Sequence, residues 1–142
     1  MKKICVLFII IFLGARWTSD YAQTTIYSKD RWGSKLYYVE NNTMRVRDQW
    51  GAKLYYFDGH TIRFQDQWGA KLVYLDGNTV RLQDQWGEKL YYFDGATIRQ
   101  KDQWGAPLYY LDGSVLKIKD RWGSPLFYFD GIPEKWMIIC II

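Results

Sequence analysis

An all-β fold closed into a ring is what this chain predicts, and three observations predict it. Trp32, Trp50, Trp68, Trp86, Trp104 and Trp122 stand eighteen residues apart, each inside the phrase Asp-(Gln/Arg)-Trp-Gly, so one short unit is written six times. Aromatic residues make up 19 % of the 142 positions, and flat side chains suit a pleated surface better than a helix. Each unit also holds two runs of alternating apolar and polar residues bounded by turn chemistry. The units start at Thr25, Thr43, Thr61, Thr79, Thr97 and Val115 and end at Ile132, and together they can bury a core that none buries alone.

The first element lies outside the repeats. Lys2 and Lys3 precede an apolar run from Ile4 to Leu13, too short to span a bilayer and right for a secretory signal. Cleavage after Ala22 divides the chain into a signal, 1–22, and a repeat domain, 23–142, exported to the periplasm or the extracellular space. An uncleaved membrane anchor is the alternative, because Asp20 stands where a small residue is preferred. Removal takes away Lys2, Lys3, Arg16 and Asp20 and lowers the net charge from +4 to +2, which is no nucleic-acid charge. Cys5 leaves with the signal, so Cys140 is the only thiol and no intrachain disulfide forms.

The unit Thr61–Asn78 illustrates the rest. Its alternating runs are Thr61 to Gln65 and Lys71 to Leu75. Asp66-Gln67-Trp68-Gly69 fits a type I turn closed by a left-handed glycine, and Asp76-Gly77-Asn78 makes the second turn. A three-residue loop with a glycine bulge sets Phe64 opposite Leu72 and Ile62 opposite Tyr74 on one buried face. The second position of every unit (Ile26, Met44, Ile62, Val80, Ile98, Leu116) then forms a core stripe. On this register Tyr38, Tyr56, Tyr74, Tyr92, Tyr110 and Tyr128 line the centre. The opposite face carries Arg45, Arg63, Arg81 and Arg99 across from Tyr55, Val73, Tyr91 and Tyr109, an outer aromatic and basic surface suited to cation–π contact.

Twelve short antiparallel strands twist, and their exposed edges invite aggregation, so closure into a barrel is expected. About twelve strands leave a central space that eight would not. The tail supplies a filling. Pro133 and Glu134 read as a helix start, and Trp136 to Ile142 is apolar on every side, as a buried segment must be. The domain therefore comprises repeats over 25–132 and an apolar plug over 133–142, with Trp136 joining the central lining.

Lys-Leu-Tyr-Tyr-Phe-Asp-Gly, the Thr-Ile-Arg and Asp-Gln-Trp-Gly phrases that follow it, and the closing Gly131-Ile-Pro-Glu-Lys-Trp136 with its apolar end resemble the four-fold β-flower proteins, a bacterial group. The resemblance covers Thr25 to Ile142. It implies a shallow, pseudo-symmetric antiparallel barrel with splayed hairpins, related in shape to the Tubby C-terminal domain, where a hydrophobic C-terminal helix threads the barrel. It carries no catalytic residues, and a lipid-binding role borrowed from Tubby is shape analogy.

Chemistry-bearing patterns point away from catalysis. The aspartates of both turn types read as caps for local N–H groups rather than calcium ligands, since calcium needs several oxygens on one ion. His60 stands at a turn position filled elsewhere by Asn, Ala or Ser. No Cys or His cluster has metal spacing, no glycine-rich loop precedes a helix, and no serine-nucleophile motif occurs. The expectation is a non-enzymatic exported module without cofactor, structural or binding, whose partner is a small apolar molecule or a protein docked at one rim. The alternative is a carbohydrate-binding protein of the cell envelope that uses its outer Tyr/Arg face.

Overall fold

The computed structural model describes residues 23–142, and residues 1–22, expected to be a signal, lie outside the described residues. Twelve antiparallel strands close into one barrel. They are β1 (Thr24–Ser28), β2 (Lys35–Glu40), β3 (Thr43–Val46), β4 (Lys53–Phe57), β5 (Thr61–Phe64), β6 (Lys71–Asp76), β7 (Thr79–Leu82), β8 (Lys89–Asp94), β9 (Thr97–Gln100), β10 (Pro107–Asp112), β11 (Val115–Ile118) and β12 (Pro125–Phe129). One helix, α1 (Lys135–Ile141), follows. Each strand pairs with its neighbours in sequence, and β12 returns to β1 through Ile26–Phe129, Tyr27–Tyr128 and Ser28–Phe127. No edge remains unpaired, which removes the template for aggregation that an open ribbon would present.

The two turn types produce different hairpins. Strands joined by the Asp-Gly turns pair in unbroken register, whereas the register shifts by one residue in all six hairpins tipped by Trp-Gly. In β5–β6, Thr61 pairs with Tyr74, Ile62 with Val73 and Arg63 with Lys71, leaving Leu72 as the bulged residue. Its carbonyl accepts the Gln83 N–H of the next hairpin at 2.9 Å. The same stitch joins Arg47 to Leu36, Gln65 to Leu54, Lys101 to Leu90, Lys119 to Leu108 and Lys29 to Leu126, so it runs round the whole ring. Every donor in it is a non-glycine residue in the left-handed region, φ +62° to +68°. Such a backbone costs roughly 1–2 kcal/mol per residue, and here it turns the amide toward the neighbouring hairpin.

The shift corrects the expected facing of the returning strands, because a one-residue slip sends every side chain to the other face. The predicted stripe of Ile26, Met44, Ile62, Val80, Ile98 and Leu116 is buried at the centre. Its partners on the return strands are Tyr37, Tyr55, Val73, Tyr91, Tyr109 and Phe127, together with Val39, Phe57, Leu75, Phe93, Leu111 and Phe129. Tyr38, Tyr56, Tyr74, Tyr92, Tyr110 and Tyr128 alternate with these and lie on the outer face, where Tyr56 pairs with Arg63 and Tyr92 with Arg99. Tyr55, Tyr91 and Tyr109, expected outside, pack against the core.

The tail fills the barrel as expected. Trp136, Met137, Ile138 and Ile139 of α1 are buried in the same cluster as the six-residue stripe. The Trp136 ring stacks on Phe57 with centroids 5.2 Å apart and planes within 8° of parallel. Its indole N–H donates to Glu134 Oε1 at 2.8 Å, which satisfies a polar atom that would otherwise be stranded in an apolar core. Pro133 is buried before the helix rather than in its first turn, and Glu134 holds the N-cap position. Lys135 anchors the entry, donating to Asn78 Oδ1 at 2.7 Å with its ammonium 5.5 Å from the Phe93 ring.

Candidate outer clefts

With the centre occupied by α1, the repeated surface is where binding chemistry collects. The six repeat tryptophans, conspicuous in the sequence, are 81–84 % exposed. Their backbones are fixed even so. The preceding Asp accepts the Trp N–H through Oδ1 at 2.9 Å in every unit, and Gly69 N–H donates to Asp66 carbonyl oxygen at 2.9 Å, with equivalents in the other five turns. Those aspartates are turn caps, as the sequence suggests.

The Trp50, Trp68 and Trp104 turns each meet the outer face of the hairpin before them and enclose a cleft. Thr43, Lys53 and Tyr56 of one hairpin and Asp66, Gln67 and Trp68 of the next line a space of about 310 Å³. Thr79, Lys89 and Tyr92 with Asp102, Gln103 and Trp104 line one of about 270 Å³. A third, again about 310 Å³, lies between Lys35, Tyr38 and Trp50, with Arg47 added to its wall. Spaces near 300 Å³ are at the small end for ligand sites and suit one ring with its polar substituents.

Tyr38, Tyr56 and Tyr92 therefore face these clefts from the outer side of the barrel. Tyr38 donates to Glu40 Oε1 at 3.1 Å; burial first, and then that carboxylate, push its hydroxyl above the ordinary phenol value. Burial likewise raises the inner Tyr55 and Tyr91. Of the predicted outer surface, Arg63, Arg81 and Arg99 do reach the outer face, but the protein itself uses them. Their Nη1 groups donate to the carbonyls of Gly69, Gly87 and Gly105 at 3.1–3.2 Å, and they face Asp58, Asp76 and Asp94 at 2.9–3.7 Å. Burial raises the Asp58 carboxyl, yet the Thr61 and His60 N–H groups and the Arg63 guanidinium outweigh it and hold the group below its ordinary value of 3.8.

Among the described residues no group of three or more His, Cys, Asp or Glu could hold a metal ion. His60 is exposed, 6.1 Å from the Tyr74 ring. Cys140 sits partly buried among core residues, and burial pushes its thiol far up, away from the reactive thiolate. Sequence reasoning missed the clefts because they form between units: Lys53 and Trp68 are fifteen positions apart. No family model, curated protein or solved structure matches the chain.

Proposed function

We propose that this chain is an exported, non-enzymatic binding module of the β-flower kind that holds a cell-envelope glycan in its outer clefts. The observation that carries the reading is the recurrence of one open cleft with an aromatic floor, an exposed indole wall and a fringe of Thr, Lys, Asp and Gln. A sugar ring presents an apolar face to an aromatic and hydroxyls to such a fringe, while the exposed indole adds contact area at little entropic cost. Repetition supplies the affinity that one small cleft lacks, because a polymer held at one cleft meets the next at high effective concentration. A small apolar ligand finds the central space taken by α1 and is left a groove of about 490 Å³ beside Phe57, Leu75 and Trp136 at the Asp-Gly mouth.

Retention on purified cell wall tests this. The wild-type protein should bind, and a variant combining Tyr38→Ala, Tyr56→Ala and Tyr92→Ala should lose at least about tenfold in retention, since each stacking platform contributes an aromatic contact of ~0.5–1.5 kcal/mol. Equal retention of the two proteins would rule out the outer clefts.

A further inference from the structure

The clefts share a feature that no single unit shows. Within units, the cations at the seventh and eleventh positions are spread unevenly: one unit has both Arg31 and Lys35, while another has Gln103 and Pro107. Between neighbouring units they even out. Lys35 shares its cleft with Gln49, Lys53 with Gln67 and Lys89 with Gln103. Lys71, paired with Arg63 as Lys53 is with Arg45, is matched with Gln85. The two prolines at the lysine position, Pro107 and Pro125, hold the same register opposite Arg99 and Lys117. They are matched with Arg121 and, across the closing β12–β1 seam, with Arg31, the two units in which Arg replaces Gln. Where one wall gives up its cation, the other wall provides it.

The fold does not use these charges. Arg63, Arg81, Arg99 and Lys117 all pair with aspartates, but among the described residues Lys35, Lys53, Lys71 and Lys89 take part in no ion pair and no side-chain hydrogen bond. Arg31 and Arg121 only lie over the rings of Trp32 and Trp122, at 4.9 Å. The cleft aspartates lie beyond ion-pair distance of the lysines and spend one oxygen on the tryptophan N–H. A charge is kept in each of six places, from either wall, and no carboxylate among the described residues pairs with it: the four lysines stand free and the two arginines meet only an exposed indole, which leaves the charge for something outside the protein.

We infer that each cleft takes a sugar carrying an anionic group, the carboxylate or phosphate of an acidic polysaccharide, with the cation placed for that group. This rests on the glycan reading above and narrows its ligand class. Lys or Arg serves equally when the demand is a charge near an anion rather than a fixed bidentate fork.

The test is titration of the Gln23–Ile142 protein in 0.15 M salt with polygalacturonate, a phosphomannan and a neutral galactan. Binding of one anionic polymer at least tenfold tighter than the galactan is expected, and which one identifies the group. A variant with Lys53→Gln, Lys71→Gln and Lys89→Gln should lose about tenfold. A control with His60→Glu, Ala96→Glu and Ile132→Glu, exposed positions at the Asp-Gly mouth and the same change in net charge, should lose less than threefold. Adding Gln67→Arg, Gln85→Arg and Gln103→Arg to the first variant should restore binding. Equal affinity for the galactan, or equal loss in variant and control, overturns the inference and leaves the glycan reading standing. Failure to bind any of the three polymers or cell wall overturns both.

Discussion

Ending the chain after Lys135 should destabilise the barrel by several kcal/mol and open a core that binds hydrophobic dyes. The missing segment carries Trp136, Met137, Ile138 and Ile139, all buried, and with them the partners of a stripe contributed by all six units. Removing a buried Trp side chain alone typically costs about 3–5 kcal/mol, because the surroundings collapse only partly into the space. A ring of twelve strands is held open by its own ladder and cannot collapse far. Denaturant melts of the full and shortened proteins, with dye fluorescence alongside, measure both effects. Unchanged stability without dye binding would mean that α1 contributes nothing to the core.

Gly69→Val should cost about 3 kcal/mol, near the upper end of local backbone strain, for a reason different from the one its sequence suggests. Gly69 does not occupy the left-handed region; that conformation falls on Gln65, φ +65°. The glycine is required by crowding, since a Cβ there would stand 1.7 Å from the Phe64 carbonyl oxygen. Asn tolerates a left-handed backbone but brings the same Cβ. Gly69→Asn should therefore be nearly as damaging as Gly69→Val. Gly77→Asn, at φ +65° with open space beside the Cβ, should be mild. Thermal midpoints of the three variants decide: equal, small shifts at Gly69 and Gly77 would contradict the crowded turn.

These two cases show what was legible. Strand number, closure, the stripe led by Ile26 and the plug follow from period-two alternation, exact repetition and an apolar end, which are local signals. The facing of the return strands does not. It turns on a bulge at Leu72 and its equivalents, set by left-handed Lys, Arg or Gln residues rather than by a glycine, so no turn residue marks it. One sign was present: the residues on either side of the constant Tyr, such as Tyr55 and Phe57 beside Tyr56, are apolar or aromatic in every unit. The clefts were illegible for a separate reason. Their walls belong to successive units, and the exchange of Lys for Arg across them emerges only when neighbouring hairpins are compared, Pro107 with Arg121 and, through ring closure, Pro125 with Arg31.

Acrylamide quenching of tryptophan fluorescence in the Gln23–Ile142 protein, with and without an oligosaccharide of the retained glycan, tests the central claim most directly. Six of its seven tryptophans are exposed at equivalent hairpin tips, Trp50, Trp68 and Trp104 of them lining the clefts described, and Trp136 is buried. Most of the emission should be quenchable in the free protein, and saturating oligosaccharide should protect it. Quenching that is the same with and without bound oligosaccharide would contradict binding in the outer clefts.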